Sequence, residues 1–413
     1  GQPSTQVQVT VERVGLQDPL QLTLTREKIT LKNVPYFGKV QGDIGYICLI
    51  NFTTHAADEV RAALESLKVE GVQKVILDLR GNPGGLLDEA IQMVNLFIEQ
   101  GLTVVKTKSK IDAWAKTYAT EQAPYDKSLP IAILVDQQSA SASEIVAGVL
   151  QDYDRAVLIG SNTYGKGLVQ TIRPLSYNTQ LKLTTSEYYI PSDRSLQKVD
   201  YRRQRQQASA APAQDTPPTT FTTRAGRKVH GGNGIAPDIE TTAFSQAPIT
   251  TSLSAHGLIF DYATLFRAQN EQIAPPKEFF FSDAQYENFV TWLKDKEYPY
   301  AIEYSIDQLL KHAQEEACTE DVKGQIEHLK QQVQQYKAQD LQQFKQEIKR
   351  VLQEAIVGRY YFQAGAIEAM LAHAQSLQRA CALLQNMEQY TQLLQAQQDA
   401  PNRTQTAASS SPD

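Results

Sequence analysis

Cysteine is scarce in this chain of 413 residues, with only Cys48, Cys318 and Cys381. Three scattered cysteines exclude a disulfide scaffold, and an odd number leaves at least one unpaired. Cys48 lies in an apolar run and reads as buried core. Histidine is sparse too: His55, His230, His256, His312, His328 and His373 are dispersed. None stands in an HExxH or similar ligand spacing, so the sequence calls for no metal and no cofactor. No stretch approaches ~18 consecutive apolar residues, so no membrane-spanning helix is expected, and no signal peptide stands at the start. Excess positive charge is also missing. A net charge of -6 gives no broad positive field, which argues against a nucleic-acid partner. The one basic run, Arg202-Arg203-Gln204-Arg205, reads as a solvated loop. What is present is 41% hydrophobic and 21% charged residues, an ordinary folded composition, and enough length for two or three domains.

Residues 6 to 30 alternate as two strands around a turn at Gly15 to Pro19. A lone hairpin is marginal in water, so this segment is expected to end a domain that begins outside the sequence. From 43 to about 190, strands and helices alternate: Ile44 to Asn51, a helix from Ala56 to Lys68, the apolar strand Val75 to Leu79, then the turn RGNPGG opening another helix. Ile131 to Val135 is a further buried strand, followed by the loop DQQSAS and a helix through Asp152. Short strands follow at Val157 to Gly160 and Leu168 to Ile172, then Gln180 to Ile190. This alternation is the signature of an α/β core. Residues 199–224, rich in Gln, Ala, Pro and Thr, read as an insertion loop. Beyond Asp261 the chain turns helical, with Ser282 and Gln285 as a capping box. Ile326, Leu329, Val333 and Tyr336 form one stripe, and Met370, Ala374, Leu377, Cys381 and Leu384 another, as expected of packed helices. Residues 402–413 read as a polar tail.

The chemistry concentrates in SASASEI, residues 139–145, between a buried strand and a helix. A serine at a helix start sits among unpaired N–H groups whose dipoles favour developing negative charge. Acyl transfer needs such a hydroxyl, a base within reach and N–H donors for the oxyanion. By itself the segment reads more readily as small residues that cap a helix and let it pack closely. Two other turns keep it company: DLRGNPGG at 78–85 and TYGKGLVQ at 163–170. RGNPGG lacks the Walker lysine and the GxGxxG spacing, which speaks against a nucleotide loop.

Together these turns, with QLKLTTSEYYIPSDRS and GIAPD further on, resemble the C-terminal processing (tail-specific) protease family over residues 5 to 245. Lys166 follows Ser141 by 25 positions and Gln170 follows Lys166 by four, the family's spacing, with Tyr164 where the family usually has Phe. The resemblance implies a serine endopeptidase working through a Ser-Lys dyad and an acyl-enzyme near substrate C-termini. Ser141 would be the nucleophile, Lys166 the base and Gln170 its orienting partner, with Gly85 and Ala142 donating to the oxyanion. Asp152 matches an acidic position that matters in some members and is read here as structural; Glu144 reads equally as a helix-turn acid and as a participant. A lysine accepts a proton only when neutral, which requires burial; Tyr164, Leu168 and Val169 are expected to supply the apolar walls.

The implied fold is a crotonase-like α/β protease core at 31–250, preceded at 1–30 by the C-terminal hairpin of a truncated PDZ domain and followed at 251–401 by an all-α helical domain. Its partners would be protein or peptide substrates, with a homo-oligomer or adaptor contact through the helical domain, and its location the periplasm or cell envelope. The rival is a non-catalytic binding or scaffold protein that reuses the fold. A Ser-His-Asp arrangement through His55 or His230 has no feature in its support.

Overall fold

The computed structural model describes residues 1–198, 219–242, 246–316 and 320–395. Most of the expected insertion loop, Cys318 and the expected polar tail lie outside the described residues. By contacts the chain divides into two units: Gly1–Tyr36 with Phe244–Ala374, and Phe37–Ala243 with Gln375–Asp413.

The second unit is built on a six-stranded sheet of order β14-β9-β8-β5-β4-β3. Its strands are β3 (Tyr36–Gln41), β4 (Ile44–Cys48), β5 (Lys74–Asp78), β8 (Ile131–Val135), β9 (Ala156–Gly160) and β14 (Ile239–Glu240). From β4 to β14 each neighbouring pair runs parallel. Parallel strands need crossovers, and the helices supply them: α1 (Ala56–Val69), α2 (Leu87–Asn95) and α3 (Ala142–Asp152). Both faces of such a sheet are covered, which is why β8 and β9 read as unbroken apolar runs and are buried at every residue. A second sheet, of order β10-β11-β6-β7, joins β6 (Thr103–Lys108), β7 (Lys116–Ala119), β10 (Leu168–Pro174) and β11 (Gln180–Tyr189), with β10 on its edge. A two-stranded sheet pairs β12 (Thr220–Thr222) with β13 (Lys228–His230), so the end of the expected insertion loop is a strand.

The first unit holds the hairpin of β1 (Gln6–Val11) and β2 (Leu20–Thr25), paired antiparallel. Its helices are α4 (Pro248–Ala255), α5 (Leu258–Gln269), α6 (Asp283–Trp292), α7 (Ala301–Glu315), α8 (Glu320–Gln343) and α9 (Lys345–Met370). The capping box forms at α6: Gln285 N–H donates to Ser282 Oγ at 3.2 Å, and Ser282 N–H to Gln285 Oε1 at 2.7 Å. Aromatic edges knit the core, Tyr262 meeting Phe289 at 4.9 Å and Phe281 at 6.3 Å between ring centroids.

Two expected helical stripes come out differently. In α8, Ile326 and Val333 are buried, but Leu329 and Tyr336 are exposed; the helix packs chiefly on α7, with lesser contact to α4 and α9. The second stripe is split. Helices α10 (Gln375–Gln385) and α11 (Met387–Leu393) pack in the α/β unit, where α10 lies against β8 and β9 and Tyr390 OH donates to Ile131 O at 3.1 Å. Helical periodicity fixes which side is apolar; it does not say which surface covers that side. Cys48, expected as core, is only half-buried. No helix among the described residues is long and apolar enough to cross a membrane.

Candidate active site

Three turns come together at the carboxyl ends of the parallel strands, the end at which open α/β sheets collect ligands. After β5 the chain makes the glycine turn; after β8 it runs through Asp136–Ser141 into α3; after β9 it passes through Ser161–Gly167 into β10. Asn82, fully buried, welds the first turn to its neighbours. Its Nδ2 donates to Leu49 O at 2.8 Å, its Oδ1 accepts Gly84 N–H at 2.9 Å, and its carbonyl accepts Ala140 N–H at 3.0 Å. Gly84 has φ +91, and a Cβ there would lie 2.5 Å from Ala140 O and 2.9 Å from Ser141 Cβ. Only glycine permits that approach.

The three serines of SASAS have separate fates. Ser139 is buried, its Oγ donating to Leu79 O at 2.8 Å and accepting Asp136 N–H at 2.9 Å. Ser143 is buried as well, donating to Asn82 O at 3.0 Å. Ser141 is half-exposed, with φ 56 and ψ -113 at the N-cap of α3. A non-glycine residue at such an angle costs on the order of 1–3 kcal/mol and persists only where its surroundings hold it. The N–H groups of Gly85 and Ala142 flank this serine in sequence and turn, and no hydrogen bond occupies either.

Glu144, on the first turn of α3, is buried and accepts from Ser141 N–H at 2.8 Å, Thr163 Oγ1 at 2.6 Å, Gly165 N–H at 2.7 Å and Lys166 N–H at 2.9 Å. Burial pushes its carboxyl up, and the bonds from Thr163, Lys166, Ser141 and Gly165 oppose that.

The lysine departs from expectation. Lys166 is exposed, Tyr164 is 60% exposed, and Leu168 and Val169 are only half-buried, so the apolar walls are missing. The cause lies in the topology: the lysine enters β10 on the open edge of its sheet, and the loop is anchored through its backbone. Lys198 N–H donates to Gly165 O at 3.0 Å, and Gly167 N–H to Gln197 Oε1 at 2.9 Å. Gln170 is exposed beside a bulge at Val169/Gln170. No hydrogen bond joins Ser141 to Lys166 or Lys166 to Gln170. Such bonds are often long before substrate arrives.

Asp152 lies at the far end of α3 from Ser141. Its carboxylate pairs with Arg194 at 2.9 Å, both side chains 1% exposed, and accepts Ser192 N–H at 2.9 Å. Burial raises Asp152 and lowers Arg194, while each opposes the other's shift. His55 lies 3.1 Å from Asp58, both well exposed, and His230 is exposed; neither bonds to Ser141. Asn82 and Thr163 carry the most local structure without having been singled out. Each stood inside a motif quoted for other residues, and only the buried bonds reveal it.

Residues 43–202 match Peptidase family S41, and residues 249–384 match the family described as Probable PDZ-protease, C-terminal helical domain. The chain is 40% identical over 203 residues to a Carboxy-terminal-processing protease of Bartonella bacilliformis, covering 48% of this chain and 46% of that one. It is 40% identical over 191 residues to a Probable CtpA-like serine protease of Staphylococcus aureus, covering 46% and 38%. The chain thus spans less than half the length of these curated relatives. Among solved structures, a photosystem II D1 C-terminal processing protease aligns at a TM-score of 0.39 and 23% identity, over 58% of this chain and 56% of that one.

Proposed function

We propose, on the match of residues 43–202 to peptidase family S41, that this chain is a serine endopeptidase cleaving near substrate C-termini, with Ser141 as nucleophile and Lys166 as general base. One observation carries the choice of nucleophile: Ser139 and Ser143 spend buried hydroxyls on carbonyls, and only Ser141 stands half-exposed on a strained backbone beside the glycine turn.

In the proposed reaction Ser141 Oγ attacks the scissile carbonyl carbon as its proton passes to neutral Lys166 Nζ. The carbonyl oxygen becomes an oxyanion, held by the unoccupied N–H groups of Gly85 and Ala142 at the positive end of α3. Collapse breaks the C–N bond, the leaving amine takes the proton from Lys166, and water then releases the acyl group from Ser141. Gln170 would orient the lysine. Because Lys166 is exposed here, the desolvation that neutralises it has to come from the substrate lying over it. The β1–β2 hairpin is read as the end of a PDZ domain and the parallel core as crotonase-like. The periplasm or cell envelope is the proposed location, and the helical unit is a proposed homo-oligomer or adaptor contact.

A second reading, a binding or scaffold protein, draws on the exposure of Lys166 and its lack of a bond to Ser141. Labelling with a fluorophosphonate probe, followed by mapping of the adduct, separates the two. The protease reading expects a single adduct at Ser141, and Ser141→Ala should cut turnover of unfolded casein about 10⁴-fold or more with the fold intact. No adduct and no turnover in the wild type leaves the binding reading.

A further inference from the structure

Glu144 joins two segments that the sheet itself does not join. A capping box explains one of its bonds, the one from Ser141 N–H on its own helix turn. The other three donors, Thr163 Oγ1 and the N–H groups of Gly165 and Lys166, belong to the loop after β9. Each carboxylate oxygen takes two donors: Oε1 from Thr163 and Gly165, Oε2 from Lys166 and Ser141. The acceptor capacity of an ionised carboxylate is thereby filled, and no further group is needed to keep it buried. Oε2 is shared by the backbone nitrogens of the serine and of the lysine, at 2.8 and 2.9 Å. One rigid planar group therefore sets the distance between those two backbones. The only other direct tie between the two turns among the described hydrogen bonds is Tyr164 N–H to Ser139 O, at 3.0 Å. Thr163 extends the clamp, since its Oγ1 also accepts Ile235 N–H at 2.7 Å.

We propose that Glu144 is a positioning residue: its carboxylate holds the Ser141 turn and the Lys166 loop at working distance, so that the serine-lysine spacing depends on it. This rests on the assignment of Ser141 and Lys166 made above. The Lys166 side chain is exposed and unanchored, so the backbone clamp is what places its base end. A misplacement of about 1 Å in such a pair costs on the order of 10² in rate.

The test uses the full chain with Glu144→Gln, which keeps the shape but turns one acceptor oxygen into a donor facing two donors. Thr163→Val, which removes one of the four bonds to Glu144 together with the bond from Ile235 N–H, is the second variant should the first fail to fold. Asp126→Asn serves as a stability control, because the Asp126 carboxylate accepts from Lys68, Ser128 and Leu129, outside all three turns. Amide hydrogen exchange at Gly165 and Lys166 is measured with kcat and KM on one peptide, well below every unfolding midpoint. In Glu144→Gln both amides should exchange at least tenfold faster, and kcat should fall about 10²-fold with KM within threefold. Thr163→Val should show the same pattern at about tenfold in kcat, and Asp126→Asn should show neither change. Wild-type exchange at both amides, or kcat within twofold of wild type, overturns the proposal. So does a loss of kcat no greater than that of Asp126→Asn. If the wild type itself neither turns over nor labels, the Ser-Lys assignment falls. The exchange data then decide the clamp alone, faster exchange supporting it and unchanged exchange overturning it.

Discussion

The turn before α3 and the loop before β10 are bound to the same carboxylate, yet they are built to opposite rules. Around Ser141 nearly everything is buried: Ser139, Ala140, Ala142, Ser143 and Glu144 are all inside, and each polar side chain among them is spent on a named partner. Around Lys166 only the backbone is held. Gly165 and Gly167 are buried, while the side chains of Tyr164, Lys166 and Gln170 stand in solvent. On the proposed assignment, one region presents a finished serine and the other a fixed main chain whose lysine is still to be covered. Nucleophile and oxyanion donors depend on backbone placement and can be complete in the empty protein, whereas a lysine base depends on desolvation.

The largest effect that could break this comparison is at Lys166. If substrate burial neutralises it, kcat/KM should rise with pH across 6 to 10, and Lys166→Arg should lose ~10² to 10⁴ in rate, because a guanidinium keeps its charge. An arginine variant with more than a tenth of wild-type kcat/KM on the same peptide would move the base elsewhere.

Next in size is the far end of α3. Asp152→Ala strands Arg194 as a buried, unpaired charge, and urea unfolding should show a loss of about 3–5 kcal/mol. Combining it with Arg194→Met should recover much of that. A variant that keeps wild-type stability but has no turnover would instead give Asp152 a part in the reaction.

Smaller effects sharpen the contrast among the serines. Ser143→Ala loses its buried bond to Asn82 O, and Ser139→Ala the bonds to Leu79 O and from Asp136 N–H, each at about 1–3 kcal/mol of stability with kcat per folded molecule nearly unchanged. A loss of kcat at Ser143→Ala comparable to that at Ser141→Ala would undo the choice of the middle serine.

The smallest concerns acid. Burial alone would push Asp126 up, but Lys68 and the hydroxyl and N–H of Ser128, with Leu129 N–H, hold it well below the usual carboxylate range. A depressed folded-state pKa means that the stability is fully present above about pH 4, where the unfolded carboxylate is ionised, and is lost as pH falls toward the folded value. The partly exposed Lys68 is screened, so about 1 kcal/mol is expected. Asp126→Asn should flatten unfolding midpoints between about pH 5 and 2; an unchanged slope would deny Asp126 that role.

Local sequence determined a good deal of this protein. The apolar runs gave β8 to the residue, and the strands and helices from 43 to 190 fell within a few positions of those expected, because period and turn chemistry are short-range properties. The resemblance of three motifs to the C-terminal processing proteases pointed to Ser141 as the expected nucleophile before any geometry was known. β6 and β7 escaped notice because Thr103–Lys108 and Lys116–Ala119 are short and half-polar, and β6 pairs on its other side with the distant β11. Tertiary structure alone decided that Lys166 lies on an open sheet edge, that α10 and α11 cover the parallel sheet, and that Glu144 takes three of its four donors from residues 19 to 22 positions away. Burial and hydrogen-bond partnership are set by which elements end up as neighbours, and a local pattern of apolar and polar residues states which side of an element wants cover without naming what covers it.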